Sequence, residues 1–171
     1  MARTLLDRDR SRVTSALGGA RQLADGALRT LDDLATGIHP QVLAEQGLVP
    51  ALRAHAATTG LRVAVVDAGV GRYGPGVEAA VYFACLEALQ NASKHAPAST
   101  VEVTLLEDAG AGALVFEVQD DGAGFDPEAQ PSGSGLTNMR DRVTALGGSL
   151  DITSAPDRGT CVRGRVPVAV S

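Results

Sequence analysis

The hydrophobic period of this 171-residue chain changes once, near residue 60, and that change limits the folds open to it. Before it, Leu17, Ala20, Ala24, Ala27, Leu31, Leu34 and Ile38 recur at alternating steps of three and four, and Leu6 and Val13 extend the seam toward the N-terminus. Such spacing lays one apolar line along a helix. It predicts a long helix over 5–38 that packs as a coiled coil or in a helical bundle. Gly18, Gly19 and Gly26 weaken it, each by about 1 kcal/mol relative to alanine. The helix is expected to stop at Gly37-Ile-His39-Pro40, because Pro40 disfavours helical geometry at His39. A second helix, about 41–58, carries Val42, Leu43, Leu48, Leu52 and Ala56, with a break expected near Pro50. After the change, Leu61, Val63 and Val65 alternate as strand residues do.

The rest of the chain reads as an α/β unit. The glycine-rich loop Asp67–Gly76 leads through Pro75 into a helix of about 76–95. Strands near 100–107 and 113–119 are joined by Glu-Asp-Ala-Gly-Ala-Gly, a hairpin signal. Val101, Val103 and Leu105 share one face, as do Leu114, Phe116 and Val118. A loop over 121–134 precedes a helix of about 135–146, for which Gly147-Gly148 is a suitable C-terminal cap. Strands of about 149–154 and 160–168 close the unit. The expected division is a helical segment 1–40, a connecting helix 41–60 and a domain over 61–171.

Composition excludes several classes. A net charge of −5 argues against nucleic acid as the main partner. No apolar run approaches the roughly 20 residues that span a bilayer. The charged start Met1-Ala-Arg-Thr-Leu-Leu-Asp-Arg has no signal-peptide apolar region. Cys85 and Cys161 lack metal or redox spacing and read as core thiols of a reduced, cytoplasmic protein.

Chemistry concentrates in two stretches. Glu87, Asn91, Lys94 and His95 fall at helical steps of three and four, on one stripe of the 76–95 helix. The opposite stripe, Val81, Cys85, Leu89 and Ala92 with Ala88 beside it, is apolar and expected to pack on the sheet. A solvated face with a Glu-to-Lys pair would also look like this. Asn91 is the awkward residue for that reading, because asparagine is a poor helix former. An oxygen ligand for Mg²⁺ beside phosphates gives it a reason to be there, with Lys94 as a point charge on phosphate. The second stretch is Asp120-Asp-Gly122-Ala-Gly124-Phe125, directly after an apolar strand. Its glycines let backbone approach a flat ligand, and Asp120 suits an exocyclic amine. An ordinary Asp-Gly turn is the plain alternative. Gly133-Ser-Gly135 opens a helix whose N–H groups could meet phosphate oxygens, or is simply a flexible helix start.

In this order, Glu87–His95, Asp120–Phe125, Gly133–Leu136 and Gly159-Thr160 resemble the Asn box, the two glycine boxes and the closing Gly-Thr of the catalytic ATP-binding domain of sensor histidine kinases. These belong to the Bergerat-fold superfamily that also includes gyrase-type ATPases. Leu34-Ala-Thr-Gly-Ile-His-Pro40, Gly47-Leu48 and Gly135-Leu-Thr-Asn-Met-Arg-Asp-Arg-Val143 resemble the subfamily paired with helix-turn-helix response regulators. The resemblance covers about residue 17 to the C-terminus. It implies an α+β fold: a two-layer α/β sandwich, mixed sheet with helices on one face, preceded by a long N-terminal helix.

It also implies ATP and Mg²⁺ as ligands. Asp120 would hold the adenine amino group, with Gly122 and Gly124 near the base and Thr160 supporting the contact. Asn91 would bind Mg²⁺, and Lys94, His95, Gly133, Gly135 and Leu136 would lie near the nucleotide. Glu87 would orient or deprotonate the acceptor, and residues 125–134 would form a lid. The implied partners are a response regulator, a phosphoacceptor-bearing helix and a second copy of the chain through the N-terminal helix.

The departure is the acceptor. Arg8-Asp-Arg-Ser-Arg-Val-Thr-Ser15 contains no histidine, His39 belongs to the helix-closing signature, and His55 sits in an Ala-rich helix. The chain thus holds at most the second dimerisation helix, as a piece of a larger kinase or as a naturally short relative. Two alternatives follow: a serine kinase of the anti-sigma type, against which the Ile-His-Pro helix end argues, or a nucleotide-binding dimerisation module without transferase activity.

Overall fold

The computed structural model describes residues 39–95, 98–126 and 134–168. The predicted 5–38 helix and most of the expected lid lie outside the described residues. By its own contacts the compact unit is His39–Ser171. Its elements are α1 (His39–Gln46), α2 (Leu48–Ala56), β1 (Arg62–Asp67), α3 (Pro75–His95), β2 (Thr100–Asp108), β3 (Ala113–Asp120), α4 (Ser134–Thr144), β4 (Ser149–Ser154) and β5 (Thr160–Pro167).

The helix expected over 41–58 is two shorter helices, and the break expected near Pro50 falls three residues earlier, at Gly47. Gly47 has φ +93°, a left-handed geometry that glycine adopts without steric cost. Pro50 falls in the first turn of α2, where a missing N–H breaks no helical bond.

The five strands form a mixed α+β sheet in the order β1-β2-β3-β5-β4. β1 and β2 are parallel, and α3 is the crossover between them. β2 and β3 form the predicted hairpin, with Val103 opposite Val118 and Leu105 opposite Phe116. The chain then crosses through α4 to the edge strand β4 and returns as β5, which inserts antiparallel between β3 and β4.

Period-two alternation gives the sheet two unlike faces. One carries Val101, Val103, Leu105, Leu114, Phe116, Val118, Leu150, Val162 and Val166, all buried beneath the helices. The predicted apolar stripe of α3, Val81, Cys85, Ala88, Leu89 and Ala92, is buried in the same core. Burial pushes the Cys85 thiol well above its ordinary pKa. The other face carries Glu102, Glu117, Gln119, Arg163, Arg165 and Asp151 in register across the strands. Its ion pairs are loose, 3.8 Å for Arg163–Glu117 and 3.7 Å for Arg165–Asp108. Cys161 pairs with Gln119 on this open face and is half-buried, so it is not the core thiol expected.

With few aromatics available, the sheet centre is filled by one ring. Phe116 lies over Gly164 of β5, in the space a Cβ there would take. Gly164→Val is therefore expected to destabilise the fold by about 1–3 kcal/mol through overpacking. Arg163→Ala, on the open face of the same strand, should cost less than about 1 kcal/mol. Urea unfolding of the two variants measures the difference, and equal losses would contradict this packing.

Candidate functional site

The alternation that buries Leu114, Phe116 and Val118 runs on to Asp120, which is 7% exposed. A buried carboxylate is costly unless its oxygens are satisfied. Asp120 Oδ1 accepts from Gly122 N at 2.9 Å and from Thr160 N at 3.2 Å. The acid thus ties the end of β3 to its own following turn and to the start of β5. Among the described residues no hydrogen-bond donor reaches Oδ2.

Two glycines allow this to happen. Gly124 has φ +60° and Gly159 φ +68°. A Cβ on Gly124 would collide with the Ala155 carbonyl, and one on Gly159 with the Asp120 carbonyl. Both positions therefore require glycine for backbone approach as well as for conformation. Asp157 N donates to Ala123 O at 2.7 Å, closing the first glycine turn onto the β4–β5 turn.

Ser154, which no sequence motif singles out, sits at the centre of this contact. Its hydroxyl accepts from Phe125 N at 2.9 Å and donates to Gly159 O at 2.9 Å. Thr160 Oγ1 is 3.1 Å from it. A hydroxyl has one proton, and that of Ser154 is committed to Gly159, so the Thr160 hydroxyl donates to Ser154. The signal was available only through pairing, since Ser154 is the register partner of Thr160.

Asp121 likewise has a role that the sequence motifs do not assign. It accepts from Ser99 N at 2.7 Å, Thr100 N at 2.9 Å and Thr100 Oγ1 at 2.9 Å. The backbone and hydroxyl donors of Thr100 hold its carboxyl below the usual range. It thereby fastens the start of β2 beside the end of β3.

The polar stripe of α3 is placed as follows. Glu87 and Asn91 are half-buried and Lys94 is exposed. The Glu87 carboxylate occupies the space a Cβ on Gly135 would need, so the first turn of α4 lies directly on it. Further along, the Arg142 guanidinium stacks 4.9 Å over the Phe83 ring and joins the same two helices. Leu136 packs against the core. The side chain of His95 and all of Gly133 lie outside the described residues. The structure therefore unites Asp120, Gly122, Gly124, Gly159 and Thr160 in one cluster, and Glu87 with Gly135 in another. No hydrogen bond among the described residues joins Asn91 or Lys94 to the Asp120 cluster.

The described residues contain no group of three or more His, Cys, Asp or Glu able to hold a metal by themselves. The oxygen chemistry of Asn91 suits Mg²⁺, which takes few protein ligands and completes its shell with phosphate and water. No helix is long and apolar enough to cross a membrane among the described residues.

The profile of the family described as "Histidine kinase-, DNA gyrase B-, and HSP90-like ATPase" matches residues 76–170. The chain is 33% identical over 154 residues to the signal transduction histidine-protein kinase/phosphatase DegS of Brevibacillus brevis, covering 86% of this chain and 39% of that protein. It is 32% identical over 179 residues to a sensor-like histidine kinase of Chloroflexus aurantiacus, covering 96% of this chain and 30% of the relative. The chain thus spans well under half the length of these relatives. The histidine kinase domain of the blue-light activated kinase of Erythrobacter litoralis superposes with a TM-score of 0.59 at 23% identity, over 72% of this chain and 60% of that one. Full-length ShkA, in complex with AMPPNP, gives 0.55 at 22% identity, over 74% and 29% of the two chains. The structural likenesses show the fold, and the match over 76–170 carries the assignment: this chain belongs to the histidine kinase-, gyrase B- and HSP90-like ATPase family, and these relatives are histidine kinases.

Proposed function

We propose that the chain is the catalytic part of a sensor histidine kinase, binding Mg-ATP and directing its γ-phosphoryl group to a histidine on a partner helix. The single observation that carries the reading is the buried Asp120 carboxylate. One oxygen is held by Gly122 N and Thr160 N, while the other has no donor among the described residues. Such a half-satisfied acid, beside glycines that admit a flat ring, accepts from the adenine amino group. The AMPPNP complex of ShkA supports nucleotide as the ligand class.

The remaining roles follow from chemistry and position. Asn91 offers its amide oxygen to Mg²⁺, and Lys94 offers a point charge to the phosphates. Mg²⁺, when bound, neutralises phosphate charge. Glu87 orients the acceptor or takes its proton, and its contact with Gly135 links it to the helix that ends the lid. Catalysis of this kind is positioning with charge neutralisation. His95, Gly133 and Gly135 would line the phosphate side and Leu136 the helix behind it. The helical segment 1–40 would pair with a second copy of the chain, and a response regulator would receive the phosphoryl group in the cytoplasm.

Asp120→Asn is the direct test. The two backbone N–H donors require an oxygen at the Oδ1 position, so the introduced NH₂ must face the adenine amine, donor against donor. The fold should survive, because the Oδ1 contacts can be kept. Mg-ATP affinity should fall by about 1–3 kcal/mol, roughly 5- to 150-fold. Calorimetric titration checks this, with circular dichroism confirming the fold. No binding by the parent chain would overturn the nucleotide reading.

Asn91→Ala should remove the gain in ATP affinity that Mg²⁺ provides while leaving adenosine binding intact. Titrations with and without EDTA make the comparison. An unchanged metal dependence would show that Asn91 is a surface amide.

The chain alone is expected not to autophosphorylate on histidine. His55 lies in α2 without an acidic neighbour in sequence, and His39 opens α1 beside Pro40. Transfer requires reacting atoms within roughly 3–3.5 Å. Radiolabelled ATP followed by a test for acid-labile, base-stable label is the trial. Strong label on His39 or His55 would instead make the chain a self-sufficient kinase.

A further inference from the structure

Apart from the nucleotide cluster, polar contacts converge on one residue, Arg72, in the loop between β1 and α3. Its Nε lies 2.8 Å from Oε1 of Glu78, and its second terminal nitrogen is 3.3 Å from Oε2. Glu78 is 2% exposed, an acid buried in the first turn of α3. Tyr73 N also donates to it, at 3.0 Å. The same guanidinium reaches across to α1. It donates to Ala44 O at 3.1 Å and to Glu45 O at 3.4 Å, carbonyls of the helix's last turn. A planar fork can serve a carboxylate and two carbonyls at once, which an ammonium cannot.

The segment that Arg72 grips is otherwise slenderly held. Among residues 41–46 of α1 only Leu43 is buried, with Val42 packed at the edge, whereas α2 buries Leu48, Val49, Ala51 and Leu52. Between the two helices stands Gly47, at φ +93°. A Cβ on Gly47 would lie 2.7 Å from Arg72 Cδ. The left-handed joint and the gripping side chain are therefore in contact. Yet the Arg72 side chain is 54% exposed, while the side chain of its anchor Glu78 is 3% exposed. The arginine has an open route to solvent, and the acid does not.

We propose that Arg72 is a latch anchored on Glu78, with Gly47 as the hinge, that determines whether α1 is docked on the ATP-binding unit. Closed, the guanidinium caps the last carbonyls of α1. Open, α1 swings about Gly47 while α2 and the core stay packed. The proposal stands apart from the nucleotide reading and uses none of its residues.

Hydrogen exchange of the whole chain, followed by mass spectrometry, tests it with two variants. Arg72→Lys keeps a positive charge beside Glu78 but loses the fork that reaches α1. The double variant Arg72→Ala with Glu78→Gln removes both charges, so no buried carboxylate is stranded, and the amide oxygen that replaces the carboxylate still accepts from Tyr73 N. In each, amides of residues 41–47 should exchange about tenfold faster, as expected for loss of hydrogen bonds to a charged donor. Peptides from α3 and the strands should keep their protection, and Mg-ATP affinity should not change. Unchanged exchange over 41–47 in both variants would overturn the latch. So would acceleration spread evenly over α3 and the sheet, which would make Arg72 a general support of the fold.

Discussion

The Asp120 carboxylate is the joint on which the candidate site hangs. It stands at the last inward position of β3, where alternation alone would call for another apolar side chain. Burying an acid there is tolerable only because two N–H groups from different parts of the chain converge on one oxygen. One donor belongs to the turn that follows β3 and the other to the start of β5. The position of the first glycine turn is thus set from the sheet. Ser154 repeats the device one strand further on, joining Phe125, Gly159 and Thr160 through a single hydroxyl. Asp120, Ser154 and Thr160 come from the ends of three neighbouring strands, so three adjacent strand ends frame the site.

Glycine supplies the closeness these contacts need. At Gly124 and Gly159 the backbones of the two turns approach so nearly that any side chain would displace a carbonyl. At Gly135 the missing side chain makes room for Glu87. At Gly164 it makes room for Phe116, the ring that fills the middle of an aromatic-poor core. The same residue type therefore serves the site in two ways, by bringing turns together and by letting α4 settle on α3. Arg142 over Phe83 fastens those helices farther along.

α3 shows how one helix treats two acids differently. Glu78 is buried and satisfied by Arg72 and by the Tyr73 N–H, a structural pair whose other arm reaches α1. Glu87, nine residues later, is half-buried and faces the first turn of α4. Nearby, the Tyr73 hydroxyl bonds Glu107 at 2.9 Å, and partial burial with that contact pushes its pKa up to about 12. The loop carrying Arg72 and Tyr73 is therefore tied to α1, α3 and β2 together.

Local sequence carried much of this. The elements beyond residue 60, the apolar faces of α3, β2 and β3, and the glycine caps all follow from periods of 3.6 and 2 and from turn chemistry. Even the inward position of Asp120 continues the run Leu114, Phe116, Val118. What local patterns could not supply were contacts between residues distant in the chain: Ser154 with Phe125, Arg72 with Ala44, Glu87 with Gly135. Local signals place the helix break near Pro50 without fixing it at Gly47 for the same reason, since the geometry at Gly47 is bound up with the Arg72 side chain packed against it. The order β3-β5-β4 and the crossover through α4 decide which strand ends meet. Periodicity tells each residue which way to face, and only the assembled sheet determines what it then meets.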